Sequence, residues 1–385
     1  MINFLRTLAT ELLCLVLRFL PIPVKTGLVR IGHPGRNSPV LVTGNYLLTV
    51  SRLRRALKGT DAYLLVANSH GINVWCAAGG GHLTHHQVIS QLKVTGIEQL
   101  VDHRTLILPQ LAATGVDGRQ IRKSTGWRTV WGPVYARQLP AFLADIKQKP
   151  SRFREVRFPL HQRLEMAAVW ALPTALVLYG ILSWLWPAAA PAGAAVCLLL
   201  ALTLFAAYPL YEPLMRPARR LFRSMPFAAG GLQQILILLA TAVLVAVFFM
   251  VPGVSPLHLL RWELLLIVII GVLTLDLPGS TPITKSWTHA DRVWHISLFP
   301  ERCKRAGDCV AVCPRNCLEL PPELGPVLIA RPERCIRCGA CVVQCPFDAL
   351  YFLNEKGEAI LPGTVRTHKL NLWGQRAVRI QSDEP

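Results

Sequence analysis

The chain has 385 residues, 52% of them hydrophobic and only 16% charged, with 41 Lys and Arg against 22 Asp and Glu. That length gives room for two or three domains with separate cores, and the apolar excess between about Glu165 and Asp276 excludes an ordinary soluble protein. A net charge of +19 points first to nucleic acid, but the basic residues flank apolar segments and no nucleic-acid-binding fingerprint accompanies them, so no nucleic-acid partner is expected.

Residues 1–36 begin with an apolar run, Leu12–Leu17, interrupted by Arg18 and preceded by Arg6 and Glu11. Without a small-residue cleavage site, this reads as an interfacial amphipathic leader rather than a signal peptide. Residues 37–150 alternate short β-rich runs (Val40–Val42, Tyr63–Ala67, Thr105–Leu108, Thr129–Trp131) with helical stretches (Leu47–Leu57, Thr84–Val94, Arg137–Lys147). That alternation predicts an α/β, Rossmann-like domain with a mostly parallel sheet, whose ligands sit at the carboxyl ends of the strands.

Residues 160–278 carry four apolar segments, Ala167–Trp186, Ala188–Tyr211, Leu232–Val251 and His258–Leu277, each long enough to span a bilayer. The fourth carries Arg261 and Glu263 near one end and Asp276 at the other, tolerable if the charges are paired or snorkel. Arg152–Arg163 and Arg216–Arg223 mark the cytoplasmic side, which predicts a multi-pass protein of the cytoplasmic (inner) membrane, in contact with membrane lipid. Four crossings put both flanking domains in the cytoplasm.

Of eleven cysteines, eight lie between Cys303 and Cys345, inside a predicted α+β ferredoxin-like domain over residues 295–355, which leaves 356–385 as a C-terminal tail. Cys335-x2-Cys338-x2-Cys341-x3-Cys345-Pro346 has the spacing of a two-cluster ferredoxin, in which the fourth cysteine ligates the other cluster. Zinc sites usually pair two separated C-x2-C knuckles instead. The first motif keeps Cys303, Cys309 and Cys313-Pro314 but has Ala306 at the second ligand position. Crossed ligation assigns Cys335, Cys338, Cys341 and Cys313 to one complete 4Fe–4S cluster. It leaves Cys303, Cys309 and Cys345 for a second, either 3Fe–4S or a 4Fe–4S cluster completed by Asp308, water or a shifted cysteine. Cys317 is spare, and the arrangement resembles seven-iron ferredoxins.

A lone cysteine is most often a small buried hydrophobe, and Cys14 and Cys197 fit that description. Cys76 differs, because Gly71–Gly79 follows directly on a predicted strand and places it on a helix at the ligand edge of the sheet. His82, His85 and His86 have helical i, i+3, i+4 spacing that suits either a metal or, more simply, a solvated helix start. Asp276, beside Pro278-Gly279-Ser280-Thr281-Pro282, either closes the fourth apolar helix or contacts the N-terminal domain.

The run Asn73-Val74-Trp75-Cys76-Ala77-Ala78-Gly79 resembles the cap-helix signature of the mercury-methylation corrinoid family, HgcA, related to the corrinoid iron–sulfur protein of the acetyl-CoA pathway. The segments Pro39–Tyr46, His103–Leu111 and Gly132–Val134 are similar to further family segments in the same order, and the cysteine-rich end resembles the family's ferredoxin partner, HgcB. The chain thus looks like a fusion of the two.

The resemblance implies a cobalamin-type corrinoid against the cap helix, with Cys76 as catalytic residue and lower cobalt ligand. Thr43, Asn45, Asn73, Val74, Trp75, Ala77, Ala78, Gly79, Pro109 and Gln110 complete the implied cofactor site. Ala77, Ala78 and Gly79 would keep bulk from the corrin, while Asn73 and Trp75 would hold the helix in place. It further implies a methyltransferase in which the ferredoxin reduces cobalt to Co(I) and a methyl group passes from methyl–Co(III) to mercury(II). A methyl-donor methyltransferase, folate-dependent by family expectation, and a low-potential electron donor would be partners. The chain departs from the family at Gly80, where the family has lysine, and in having no cysteine after Cys345. These departures keep two alternatives open: another methyl acceptor in one-carbon metabolism, or a membrane-anchored electron-transfer ferredoxin.

Overall fold

The computed structural model describes residues 11, 13–14, 20–146, 151–212, 232–275, 277–286 and 289–380. Residues 1–10, 12 and 15–19 of the amphipathic leader, the Arg216–Arg223 segment and Asp276 lie outside them. The chain forms two compact units, residues 1–156 together with 288–385, and residues 157–287.

In the first unit, strands β1 (Gly27–Ile31), β2 (Val40–Gly44), β3 (Ala62–Ala67), β4 (Thr105–Leu108) and β5 (Arg128–Trp131) form one sheet in the order β1-β3-β2-β4-β5. The pairs β2–β3, β2–β4 and β4–β5 are parallel, and β1 runs antiparallel to β3. β2 and β3 are buried throughout, as expected of parallel strands covered on both faces. Val40, Val42, Tyr63, Leu65 and Leu106 pack on one side with Val88 and Leu92 of the helix His85–Thr95; Leu41, Leu64, Val66 and Ile107 pack on the other with Leu139 and Phe142. The chain leaves β2 for β3 on one side and later returns to β4 on the other, so a ligand crevice lies at the carboxyl ends of β2 and β4.

Two expectations change. The leader ends earlier than residue 36, because Gly27–Ile31 is an edge strand of the sheet. The predicted helix Arg137–Lys147 is a 3₁₀ turn, Ala136–Gln138, followed by a helix over only Leu139–Ala144, with Pro140 in its first turn.

The cysteine-rich part of the same unit carries strands β6 (Trp294–Leu298), β7 (Leu350–Asn354) and β8 (Ala359–Ile360) in an antiparallel sheet, with short helices α1 (Asp308–Val312) and α2 (Ala340–Gln344). Residues 356–380 are not a loose tail. They add β8, a helix over Pro362–Thr367 and the hairpin β9 (His368–Leu370) and β10 (Arg376–Arg379).

Among its described residues the second unit has four helices long and apolar enough to cross a membrane, Leu160–Leu185, Pro187–Ala206, Leu232–Met250 and Pro256–Thr274. Two charges of the fourth segment have local partners. Glu263 accepts a hydrogen bond from Thr241 Oγ1 at 2.6 Å, and the Arg261 guanidinium lies 5.8 Å from the Trp186 ring centroid.

Candidate functional site

Cys76 sits on the short helix Val74–Gly79, immediately after the carboxyl end of β3. Asn73 caps this helix, its Oδ1 accepting from the Cys76 N–H at 3.0 Å, so the residue before the helix fixes the backbone that carries the thiol. Cys76 is exposed. Val74, Ala77 and Ala78 face the opposite way and are buried, Ala77 and Ala78 completely. The small Ala77 and Ala78 let the helix pack closely against β2 and the 3₁₀ turn Gln110–Thr114. A Cβ on Gly115 would stand 2.3 Å from the Ala78 carbonyl oxygen and 2.7 Å from that of Leu83, so backbone meets backbone there.

Asn45 and Gln110 are also buried, with structural partners. Asn45 Oδ1 accepts from Ser69 N at 2.8 Å, Ser69 Oγ at 3.1 Å and Gly71 N at 3.0 Å, while Nδ2 donates to Val24 O at 3.1 Å. It thereby shapes the loop leading to Cys76. Gln110 Nε2 donates to Ala311 O of α1 at 3.2 Å, tying the α/β domain to the ferredoxin module. Thr43 is fully buried near the carboxyl end of β2, and its hydroxyl has no hydrogen-bond partner among the described residues. Trp75, Gly79 and Pro109 are half-buried around the crevice, and Asn73 is exposed. An exposed thiol on a helix at the strand-end edge of an open α/β sheet is a donor suited to a metal-bearing cofactor, and the unpartnered Thr43 hydroxyl lies at the carboxyl end of the central strand β2.

The histidines do not act as one group. Helix His85–Thr95 starts after Thr84, whose capping box with Gln87 interrupts the spacing. His85 is buried and stacks with His86 at 4.2 Å, while His82 faces His70 at 5.2 Å. Burial, then His70, lowers the His82 pKa.

The eight clustered cysteines divide between two cavities. Cys303, Cys309 and Cys345 line one, with Ala306 and Asp308; Cys313, Cys335, Cys338 and Cys341 line the other, with Cys317. The crossed grouping of Cys313 with the second motif and Cys345 with the first is therefore present in the geometry. Backbone N–H groups point at sulfur: Cys317 N to Cys313 Sγ at 3.2 Å, Val327 N to Cys303 Sγ at 3.4 Å and Ala349 N to Cys345 Sγ at 3.3 Å. Burial pushes the Cys309 thiol up to about 12 and the Cys341 thiol well above its ordinary value. Cys313 and Cys335 go the other way, lowered first by their hydrogen bonds with Cys317, Cys313 to about 6; a bound cation would favour the thiolate at all of them.

Both cysteine-bearing helices dock on the α/β domain. Ala340 of α2 and Val312 of α1 pack with Ala113, beside Cys338 and Trp131. Gln344 Nε2 donates to Ala113 O at 2.9 Å and Val116 O at 2.7 Å, and its Oε1 accepts from Gly118 N at 3.4 Å. Arg119 and Arg366 both donate to Cys345 O, at 3.3 and 3.2 Å. From the other side, the hairpin β9–β10 covers the glycines after the Cys76 helix, since a Cβ on Gly81 would lie 3.3 Å from Lys369 Cγ and from Ile380 Cγ2. Lys369 Nζ, buried, donates to Thr114 O at 3.3 Å and Val365 O at 3.1 Å. None of this interface is evident from motif spacing.

Fold and cavities together define a class: an open, mostly parallel α/β domain joined to a module with two cysteine-lined cavities. Residues 18–143 match the family model described as CO dehydrogenase/acetyl-CoA synthase delta subunit, and residues 302–349 match the 4Fe-4S dicluster domain. The acetyl-CoA decarbonylase/synthase complex gamma subunit of Methanopyrus kandleri is 39% identical over 125 residues, which is 32% of this chain and 27% of that protein. Those of Archaeoglobus fulgidus and Methanothermobacter thermautotrophicus are 35% and 37% identical over 125 residues, 32% of this chain and 26% and 27% of theirs. The chain spans about a quarter of the length of these relatives.

Proposed function

We propose that this chain is a membrane-bound, corrinoid-dependent methyltransferase of the mercury-methylation type, fused to its own electron donor, with mercury(II) as methyl acceptor. When bound, the corrinoid supplies a cobalt that takes up and hands on a methyl group, and the clusters return it to the reactive Co(I) state one electron at a time. The observation that carries this reading is the packing of one 3₁₀ turn, Gln110–Thr114, between the cluster-bearing helices and the helix of Cys76.

In this reading Cys76 presents a thiolate to the cobalt and Asn73 fixes its backbone. Asn45 holds the approach loop, and Thr43 brings an unpartnered hydroxyl to the carboxyl end of β2. Cys313, Cys335, Cys338 and Cys341 hold a 4Fe–4S cluster, and Cys303, Cys309 and Cys345 hold a second, 3Fe–4S or 4Fe–4S. The four apolar helices anchor both domains on the cytoplasmic face of the inner membrane. A low-potential donor and a methyl-donor methyltransferase, folate-dependent by the family resemblance, act on that face.

Two measurements test it. Anaerobically purified protein is expected to contain one cobalt per chain plus iron and sulfide, and iron without cobalt would reduce it to an electron carrier. Cells carrying the gene are expected to form methylmercury and to lose that activity with Cys76→Ala; equal formation by both would sink the proposal. A non-mercury acceptor is the second reading, favoured because residues 356–380 contain no cysteine and are engaged in structure. It is upheld if cobalt is bound and another acceptor is methylated while mercury is not.

A further inference from the structure

The ferredoxin module is an internal repeat. Cys303, Ala306, Cys309 and Cys313 recur at a constant interval as Cys335, Cys338, Cys341 and Cys345. The left-handed residues Arg305, Gly307 and Asn316 recur at that interval as Arg337, Gly339 and Asp348. Each cavity is thus a reference for the other, and beyond the exchange of Ala306 for Cys338 the two differ in what stands beside one matched glycine. A Cβ on Gly307 would meet the apolar Leu320 Cδ1 at 3.5 Å, whereas a Cβ on Gly339 would meet Arg376 Nη2 at 3.1 Å.

Arg376 belongs to β10, far along the chain from both motifs. Its guanidinium lies 5.3 Å from the centroid of the Phe352 ring, and its Nη1 donates to His368 O at 3.5 Å. Phe352 and Gly339 both line the cavity of Cys313, Cys335, Cys338 and Cys341. Arg337, which donates to Cys335 O at 3.3 Å, has its counterpart Arg305 in the other half, and Arg315 also lines this cavity; Arg376 is a further cation, placed beside Gly339 where the matched Gly307 has the apolar Leu320. The buried Asp291 acts on Arg376 electrostatically and partly offsets its charge.

We propose that Arg376 is a positioning residue of the redox centre, whose fixed charge makes the cluster in the Cys313, Cys335, Cys338 and Cys341 cavity easier to reduce. This rests on the reading that the cavity holds an iron–sulfur cluster. One-electron reduction adds negative charge to a group already ringed by thiolates, and a nearby cation in a poorly solvated site stabilises the reduced form more than the oxidised one. The electron comes from a low-potential one-electron donor, and no bond is made or broken. The effect holds the electron on the cluster whose ligand Cys338 packs beside Ala113 and Trp131 of the α/β domain.

The test is a potentiometric EPR titration of the full chain, reconstituted anaerobically with iron and sulfide, with the other cluster as internal reference. Arg376→Gln is expected to lower the reduced-to-oxidised ratio at fixed potential at least tenfold, a midpoint about 59 mV more negative. Arg376→Lys is expected to retain most of the wild-type value. Asp291→Asn, which removes the offsetting anion, is expected to move the midpoint the other way. Midpoints unchanged in both Arg376→Gln and Asp291→Asn, with wild-type cluster content, overturn the proposal. If Arg376→Gln does not retain its cluster, Asp291→Asn decides alone: an upward shift supports the proposal and no shift overturns it. A wild-type chain that takes up no cluster defeats the underlying reading before any variant is compared.

Discussion

Lys369 shows what single residues contribute to this fold. Burial lowers its pKa to about 7, with the Arg376 charge adding to the effect. The unfolded chain therefore binds more protons between about 7 and the ordinary lysine value of 10.5, and stability rises with pH across that window. Below about 7 both states are protonated and the cost of the buried ammonium is constant. Lys369→Met is expected to raise the melting temperature most at neutral pH and below, and to flatten its rise toward alkaline pH. Thermal unfolding followed from neutral to alkaline pH measures this, and an unchanged slope would mean that Lys369 is not the group responsible. Gln344 is a complementary case. Its three hydrogen bonds all cross to the α/β domain, and Gln344→Ala leaves buried backbone groups unpaired, at a cost of about 1–3 kcal/mol. Denaturant unfolding measures that cost, and a loss well under 1 kcal/mol would mean that water replaces the amide.

Among the elements, the Cys76 helix is the one whose position governs the site. It has only six residues, too few to be stable alone, so its place depends on its cap and on what packs against it. Gly115→Ala is expected to cost about 1–3 kcal/mol as overpacking, because the atoms it meets are backbone carbonyls that no rotamer change can move. The same variant displaces the Cys76 helix and is expected to weaken hydroxocobalamin binding, read from the cofactor's absorbance; wild-type affinity would show that the crevice tolerates the shift. The helix, the four parallel strands and the apolar helices were legible in the sequence because apolar runs and glycine punctuation are local signals. β1 was not, since five half-exposed residues at a sheet edge carry little periodicity. Nor was the hairpin after β8, a polar and basic segment ordered by tertiary contacts of Lys369 and Arg376. The start of the His85–Thr95 helix was legible at Thr84, but the histidine spacing did not reveal that His85 is buried rather than solvated or that His82 lies ahead of the helix. Composition likewise marked Ala77 and Ala78 as small without revealing which face they turn.

At the scale of the molecule, the chain closes one compact unit from its two ends, residues 1–156 and 288–385, with the apolar helices carried between them. Crossed cysteine spacing indicated two cavities, but nothing local in the sequence indicated that their helices would bury Gln344, Gln110 and Ala113 against the α/β domain. In the proposed function this contact would remove the diffusional search that a separate ferredoxin needs, since it keeps the cysteine-bearing helices one 3₁₀ turn away from the Cys76 helix. The interface joins buried side chains to backbone carbonyls and amides, with Arg119 and Arg366 bridging Asp117 and Asp348 at its edge. It resembles an intramolecular core more than a surface encounter. Protease sites engineered at both ends of the 157–287 segment therefore give a direct test. After cleavage in detergent, the 1–156 and 288–385 pieces are expected to elute together on size exclusion, and to separate more readily in high salt when Gln344 is replaced by Ala. Separate elution of the uncut interface partners at low salt would mean that the connecting chain, not the contact, holds the ferredoxin beside Cys76.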